Sequence, residues 1–413
     1  MRALAATLTV GALAVAVTTV CAQQGATFRS NVNMLAIDAV VVDRDGSPIL
    51  GLLPDDFTVS VNGKPRRVVS ATLVRYPEHT TPRVTGTITS PVSLASVRTP
   101  GRVPDDGRVF VIAVDEPSFL TSDMRAAVQA AQRFVMNLRP TDMVGAYMFP
   151  FSQPLLDMTH DHGAVAAALG NAIGRREMTT SRYNLTTDEI IEITAGSEAP
   201  LEEAFQRECP TPAGQVPDLS CKASIRAEAM SIGAFSESES ARRVYGLGEL
   251  IHSLGMLPGH KTLLMLSGGM LGTSRVGARP DIRAYMKRVG EQAARANVMM
   301  YVMHMDNSFV QLMSAARTRT PDQAGRTRSM FSDGALFASG LENLASEAGG
   351  VYVPIKAGNG DPAFGRILRE TTAHYLLGVE PTDSDWDGRK LMVKVKAAAK
   401  GATVRAVREI IAK

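Results

Sequence analysis

Asp115 ends the apolar run 109-VFVIAV-114, and Glu116-Pro117-Ser118-Phe119 follows it, so two carboxylates and a hydroxyl cluster at one strand end. Oxygen donors of this kind suit a hard divalent cation such as Mg²⁺, or direct hydrogen bonding to a polar partner. Two further apolar runs, 261-KTLLMLS-267 and 298-VMMYVMH-304, end beside Ser267-Gly268-Gly269 and beside His304 with Asp306. His160-Asp161-His162, close to Asp157, offers a mixed set of donors, but no third ligand follows at a metal-site spacing. Asp161 there reads as a residue near a helix start. The sequence contains no Gly-x-Ser-x-Gly elbow, no Walker loop and no dinucleotide-binding glycine fingerprint. The residues available favour binding over turnover.

The elements that must position these residues alternate between strand and helix from residue 108 onward. Met124, Val128, Ala131, Val135 and Leu138 recur at helical spacing, with Ser122-Asp123 as the expected cap and Pro140 as the stop. Strands are predicted at 143–149, 154–159 (an edge strand), 261–267, 298–304 and 351–355, and helices at 162–173, 241–256, 281–296, 340–348 and 361–372. Near-continuous apolar strands between helices predict an α/β fold with a doubly wound, mainly parallel sheet spanning 108–372. Ligands of such sheets bind outside the carboxyl ends of the strands, at the rim that holds Asp115, Ser267 and Asp306. Residues 175–238 interrupt the pattern as a helical insertion, and 308–335, with Arg317, Arg319, Arg326 and Arg328, read as a polar loop. Before the α/β region lie a β segment over 28–76, with an Asn62-Gly63 hairpin turn, and a Pro/Thr/Ser/Gly-rich linker over 77–107. After it, 373–413 returns to strand texture, and the two flanking segments are expected to pair into a small β-sandwich.

Totals narrow the function classes. Of 413 residues, 45% are apolar and 21% charged, which is a globular composition. A net charge of +3 and only 5% aromatic residues give no footprint for nucleic acid. Arg2, the uncharged stretch Ala3–Val20 and the cleavage pattern Val20-Cys21-Ala22 read as a signal peptide over 1–22, with an uncleaved anchor as the competing reading. Its removal leaves Cys209 and Cys221, an even pair in an oxidising compartment, and a disulfide is expected between them. No later segment is long and apolar enough to span a bilayer, so the mature chain is expected to carry no transmembrane anchor and to be periplasmic or secreted.

The order of several segments resembles the von Willebrand factor A (vWA) group, and within it the VWFA-related acidobacterial-type family of exported proteins. The resemblance lies in 45-DGSPILGLLPDDFTVSVNGKPRRV-68, the strand ending at Asp115, 257-LPGHKTLLMLSGGM-270, 345-ASEAGGVYVP-354 and 374-HYLLGVEPTDSDWDGRKLMVKVK-396. It implies a Rossmann-like vWA fold with flanking β segments and a binding role without catalysis. It also implies a metal-ion-dependent adhesion site built from Asp-x-Ser-x-Ser on one loop, a Thr on a second and an Asp on a third. Here Asp115 matches, Pro117 and Phe119 stand at the serine positions, Ser118 is out of register, and Ser267 replaces the third-loop Asp. Thr179 or Thr180 would be the second-loop Thr. The site is therefore degenerate, and Asp115, Ser118, Thr179 and Ser267 would hold a divalent cation weakly. The expected function is an exported binding protein that engages a protein partner, or an envelope glycan, through Asp115, Glu116, Ser118, Ser267 and Asp306. The alternatives are a non-catalytic envelope scaffold and, third, a metal-dependent hydrolase.

Overall fold

The computed structural model describes residues 34–76, 107–151, 153–176, 181–211, 214–306, 323–356, 359–386 and 390–411. The expected signal peptide over 1–22 lies outside the described residues, as does the linker up to residue 106. The first strands are β1 (Leu35–Val42), β2 (Phe57–Val61), β3 (Lys64–Arg66) and β4 (Val68–Arg75). Alternation in β2 buries Phe57, Val59 and Val61 on one face, and the Asn62-Gly63 turn returns the chain into β3.

Strand and helix then alternate: β5 (Val109–Asp115), α1 (Thr121–Met136), β6 (Met143–Phe149), β7 (Gln153–Thr159) and α2 (His162–Leu169). Next come three helices, α3 (Thr187–Thr194), α4 (Glu198–Glu208) and α5 (Leu219–Leu254). The α/β series resumes with β8 (Lys261–Ser267), α6 (Arg283–Arg295), β9 (Val298–Asp306), α7 (Gln323–Glu347), β10 (Val351–Lys356) and α8 (Asp361–Glu370). β11 (Ala373–Val379), β12 (Lys390–Ala397), β13 (Thr403–Ala406) and β14 (Glu409–Ile411) follow.

One six-stranded sheet has the order β10-β9-β8-β5-β6-β7, parallel except for the β6–β7 pair. Its central strands β5 and β8 are buried on both faces, which is why they read as unbroken apolar runs. Alternate residues feed two cores. Phe110, Ile112 and Val114 pack with α1, α2 and α8, while Val111 and Ala113 pack with α5, α6 and α7. Each large side chain so buried contributes roughly 1.5–3 kcal/mol. The remaining strands form two four-stranded antiparallel sheets, β13-β1-β11-β4 and β14-β12-β2-β3, each mixing strands from both ends of the chain. The two sheets share a core in which Phe57 meets Tyr375 edge-on at 5.2 Å.

Several local readings need correction. α1 starts at Thr121, with Leu120 as its N-cap and no side-chain cap, so Ser122 and Asp123 already lie inside the helix. α2 stops at Leu169, because Gly170 caps it before Ile173. The helix expected over 241–256 is the end of one 36-residue helix from Leu219. The helix expected over 340–348 starts at Gln323, so much of the stretch read as a polar loop is helical. Among the described residues, no helix is long and apolar enough to cross a membrane.

Away from the strand-end rim, two polar clusters tie the layers together. Fully buried Asp142 accepts hydrogen bonds from Arg108 Nη2 at 2.6 Å and Arg139 Nη2 at 2.7 Å, and these guanidinium groups outweigh burial to hold its carboxyl down to about 2. Between the β1-containing sheet and the α/β core, Asp38 accepts from Asn297 at 2.6 Å and faces His260 at 3.7 Å and His374 at 3.8 Å. Burial, and next the stacked His260 ring at 5.4 Å, push His374 down from 6.5 to about 4, against the opposing pull of Asp38. The unfolded chain therefore takes up this proton first, and stability falls as pH drops from about 6.5 towards 4. Urea denaturation at pH 7 and pH 4.5 should show about 2–3 kcal/mol of loss that His374→Asn removes. An unchanged pH slope in the variant would contradict the assignment.

Candidate functional site

Asp115, the last residue of β5, is fully buried. A carboxylate removed from water costs several kcal/mol unless a counter-charge and hydrogen bonds meet it. Arg243 on α5 supplies both. Its Nε donates to Asp115 Oδ1 at 2.9 Å, and its Nη2 donates to Asp115 Oδ2 and to the Gly269 carbonyl. Ser267, at the end of β8, donates through Oγ to Asp115 Oδ2 at 2.7 Å. Ser118 turns towards the backbone: its Oγ donates to the Asp115 carbonyl at 2.6 Å and accepts the Gly268 amide at 2.8 Å. The loops after β5 and β8 are thereby joined. Glycine is needed at 268, because a Cβ there would lie 2.6 Å from the Ser118 carbonyl oxygen.

The local sequence explains how Arg243 arrives at this place. The second half of α5 packs Val244, Leu247, Leu250, Ile251 and Leu254 against the sheet, while its first half runs past the rim. The helix closes on the end of β6 at Gly246, where a Cβ would fall 2.2 Å from the Pro150 carbonyl oxygen. Arg243 sits at the crossing point, 8% exposed, one turn after the buried Ser240 and beside the buried Val244. Beyond the rim, α3, α4 and the start of α5 form their own small core from Ile190, Ile193, Leu201, Phe205 and Ile225. α3 is started by a reciprocal capping box between Thr186 and Glu189. Cys209, at the end of α4, and Cys221, in the first turn of α5, form the expected disulfide. Closing a loop of this length contributes about 3 kcal/mol in the chain-entropy model.

This helical insertion stands over the carboxyl ends of the strands and leaves a cleft of about 580 Å³. Glu116 and Pro117 form its floor beside Arg243, and α3 and α5 contribute Ile190, Ile191, Ile232 and Ser236. The size and the mixed apolar and polar lining are those of a small-molecule or peptide side-chain site. Glu116, 7% exposed, pairs with the exposed Arg175 at 2.7 Å. A far smaller cavity, about 20 Å³, lies between Tyr76, His260 and His374 and has room for little more than one water.

The sequence-derived site is thus regrouped. Asp115, Ser118 and Ser267 come together, but as a buried joint, and only Glu116 of the five binding candidates lines the cleft. Asp306 ends β9, on the far side of β8 from Asp115 and about 10 Å away across the sheet. The metal set read from the sequence is Asp115, Ser118, Thr179 and Ser267, and in the structure its first member meets Arg243. Both Asp115 carboxylate oxygens are already engaged by Arg243, so a divalent cation would have to displace a buried guanidinium. Thr179 lies outside the described residues, and so does Thr180. Among the described residues, no group of three His, Cys, Asp or Glu side chains is arranged to share a metal. His160 and His162 instead face the Asp142 carbonyl at 3.2 and 2.8 Å, and Asp161 caps α2 through the Ala164 amide at 2.9 Å. Among the described residues, neither Ser118 nor Ser267 has a histidine partner, and His304 Nδ1 meets the Tyr352 hydroxyl at 2.8 Å.

Arg243 escaped the sequence reading, although it carried a signal. It shares a helical stripe with Leu247, Leu250 and Leu254, where an arginine among apolar positions needs a buried acid. Asp115→Asn and Arg243→Met should each cost about 3–5 kcal/mol in urea denaturation, and the double variant less than their sum. Calorimetry with Mg²⁺, Mn²⁺ or Ca²⁺ should give no saturable heat with the native protein; a saturable signal lost in Asp115→Asn would restore the metal site. Comparison with protein-family models and with curated proteins finds no match for this chain.

Proposed function

We propose that this chain is an exported, non-catalytic binding protein of vWA type that takes its ligand into the cleft over the carboxyl ends of its central strands, without a metal bridge. The resemblance of the 45–68, 257–270 and 374–396 segments supports the family, and the leader-like residues 1–22 with the Cys209–Cys221 disulfide support export. The observation that carries the binding reading is the cleft itself. It lies where ligands of open α/β sheets bind, and its wall is an insertion that the sheet does not need for its own core. Arg243 supports metal independence, because the charge a bridging cation would bring is already built into the protein. Commitment of the Ser118 and Ser267 hydroxyls to Asp115 supports binding over hydrolysis.

A protein or glycan of the envelope remains the partner class this reading favours, entering past the exposed Phe151 and Arg175 at the cleft mouth. Ser236→Trp fills the cleft from a position about two helical turns before Arg243. Immobilised native protein should retain a discrete partner from envelope extract in the presence of a chelator, and Ser236→Trp should lose it while keeping the native denaturation midpoint. Retention of the same partner by both would place binding elsewhere and favour the scaffold.

A further inference from the structure

We infer that the group the cleft takes from its partner is a singly charged carboxylate on an apolar stem, with Arg176 as the partner of its head group. This rests on the cleft being the binding site and names what fills it. Five arginines line the space, and four have an acid at hand: Arg175 with Glu116, Arg242 with Glu239, Arg243 with Asp115 and Arg279 with Glu237. Arg176 is the exception. Its guanidinium lies 4.8 Å over the Phe337 ring and has no carboxylate within ion-pair distance among the described residues. It is half-buried, and desolvation together with the neighbouring Arg243 charge works against its protonated form. A half-buried cation in that position is relieved by an anion that enters the cleft.

The rest of the lining selects among anions. Asp333 also faces the cleft, and its Oδ1 is buried with no hydrogen-bond partner. Asp123 and Asp333 both attract Arg176 from beyond ion-pair reach, so negative charge already stands near the guanidinium. A dianionic phosphate would meet the Asp333 carboxyl as well as the guanidinium, so a monoanion fits better. Leu185, Ile190, Ile191, Ile232 and Leu271 give the body of such a ligand an apolar wall. Arginine engages a carboxylate through two parallel N–H donors, which sets the orientation of the head group.

Dodecanoate, below its micellar concentration, is the probe. Titration calorimetry of the purified protein should show one saturable site, at least tenfold weaker in Arg176→Met and absent in Ser236→Trp, with both variants melting as the native protein does. Dodecyl phosphate should bind more weakly than dodecanoate, and dodecyltrimethylammonium should not bind. Equal affinity of Arg176→Met and native protein, or of the cationic and anionic amphiphiles, would overturn the assignment. If dodecanoate fails to bind while envelope-partner retention still depends on Ser236, the cleft stands and the carboxylate assignment falls. If Ser236→Trp alters neither measurement, both fall.

Discussion

A buried ion pair between a strand end and a helix inserted far along the chain organises the upper half of this molecule. Asp115 has no exposure, and without Arg243 its charge would sit uncompensated among β5, β8 and the loop that follows each. The pair is bidentate, and Ser267 and the Gly269 carbonyl complete its hydrogen bonding, which is the condition under which a buried charge is tolerated. Because Arg243 lies on the same helix as the cleft wall, the joint also sets where α5 crosses the rim. The insertion is thereby located by electrostatics at one end and by Val244, Leu247 and Leu250 at the other.

The same joint changes the meaning of the strand-end loop. A carboxylate at the end of a central parallel strand is a natural ligand-facing group, and in this chain it faces inward. Its neighbour Glu116 is the side chain that reaches the cleft, held by Arg175. The open space lies one layer further out, between the rim and the insertion. A cation fixed in the protein has a different consequence from a bound metal: it cannot be removed by chelation and cannot offer open coordination positions.

Sheet architecture was legible in the sequence wherever burial on both faces leaves an unbroken apolar run, as in β5, β8 and β9. The edge strand β7 and the Asn62-Gly63 turn were legible for equally local reasons. The cysteine pair could be read from its parity and the turn formers between the two residues. The continuity of α5 could not, because its first half buries little and shows no strong stripe until Arg243. Nor could the role of Asp115 be read, since it depends on a residue 128 positions away whose approach is set by tertiary packing. Arg176 was invisible for a similar reason: having no acid partner among the described residues is a property of its surroundings, and no pattern of neighbours in sequence encodes it.

The interleaving of the two antiparallel sheets constrains how this polypeptide can reach its native state. The Leu52 amide bonds the Tyr375 hydroxyl, 323 positions further along, and β1 and β4 both take β11 as their neighbour. Until that distant strand is synthesised, β1 and β4 expose open edges able to pair with other chains. Loop closure over so long a separation is also slow to be rewarded by contacts. Native pairing of β1 and β4 therefore waits on residues 373–379, more than 290 positions after β4.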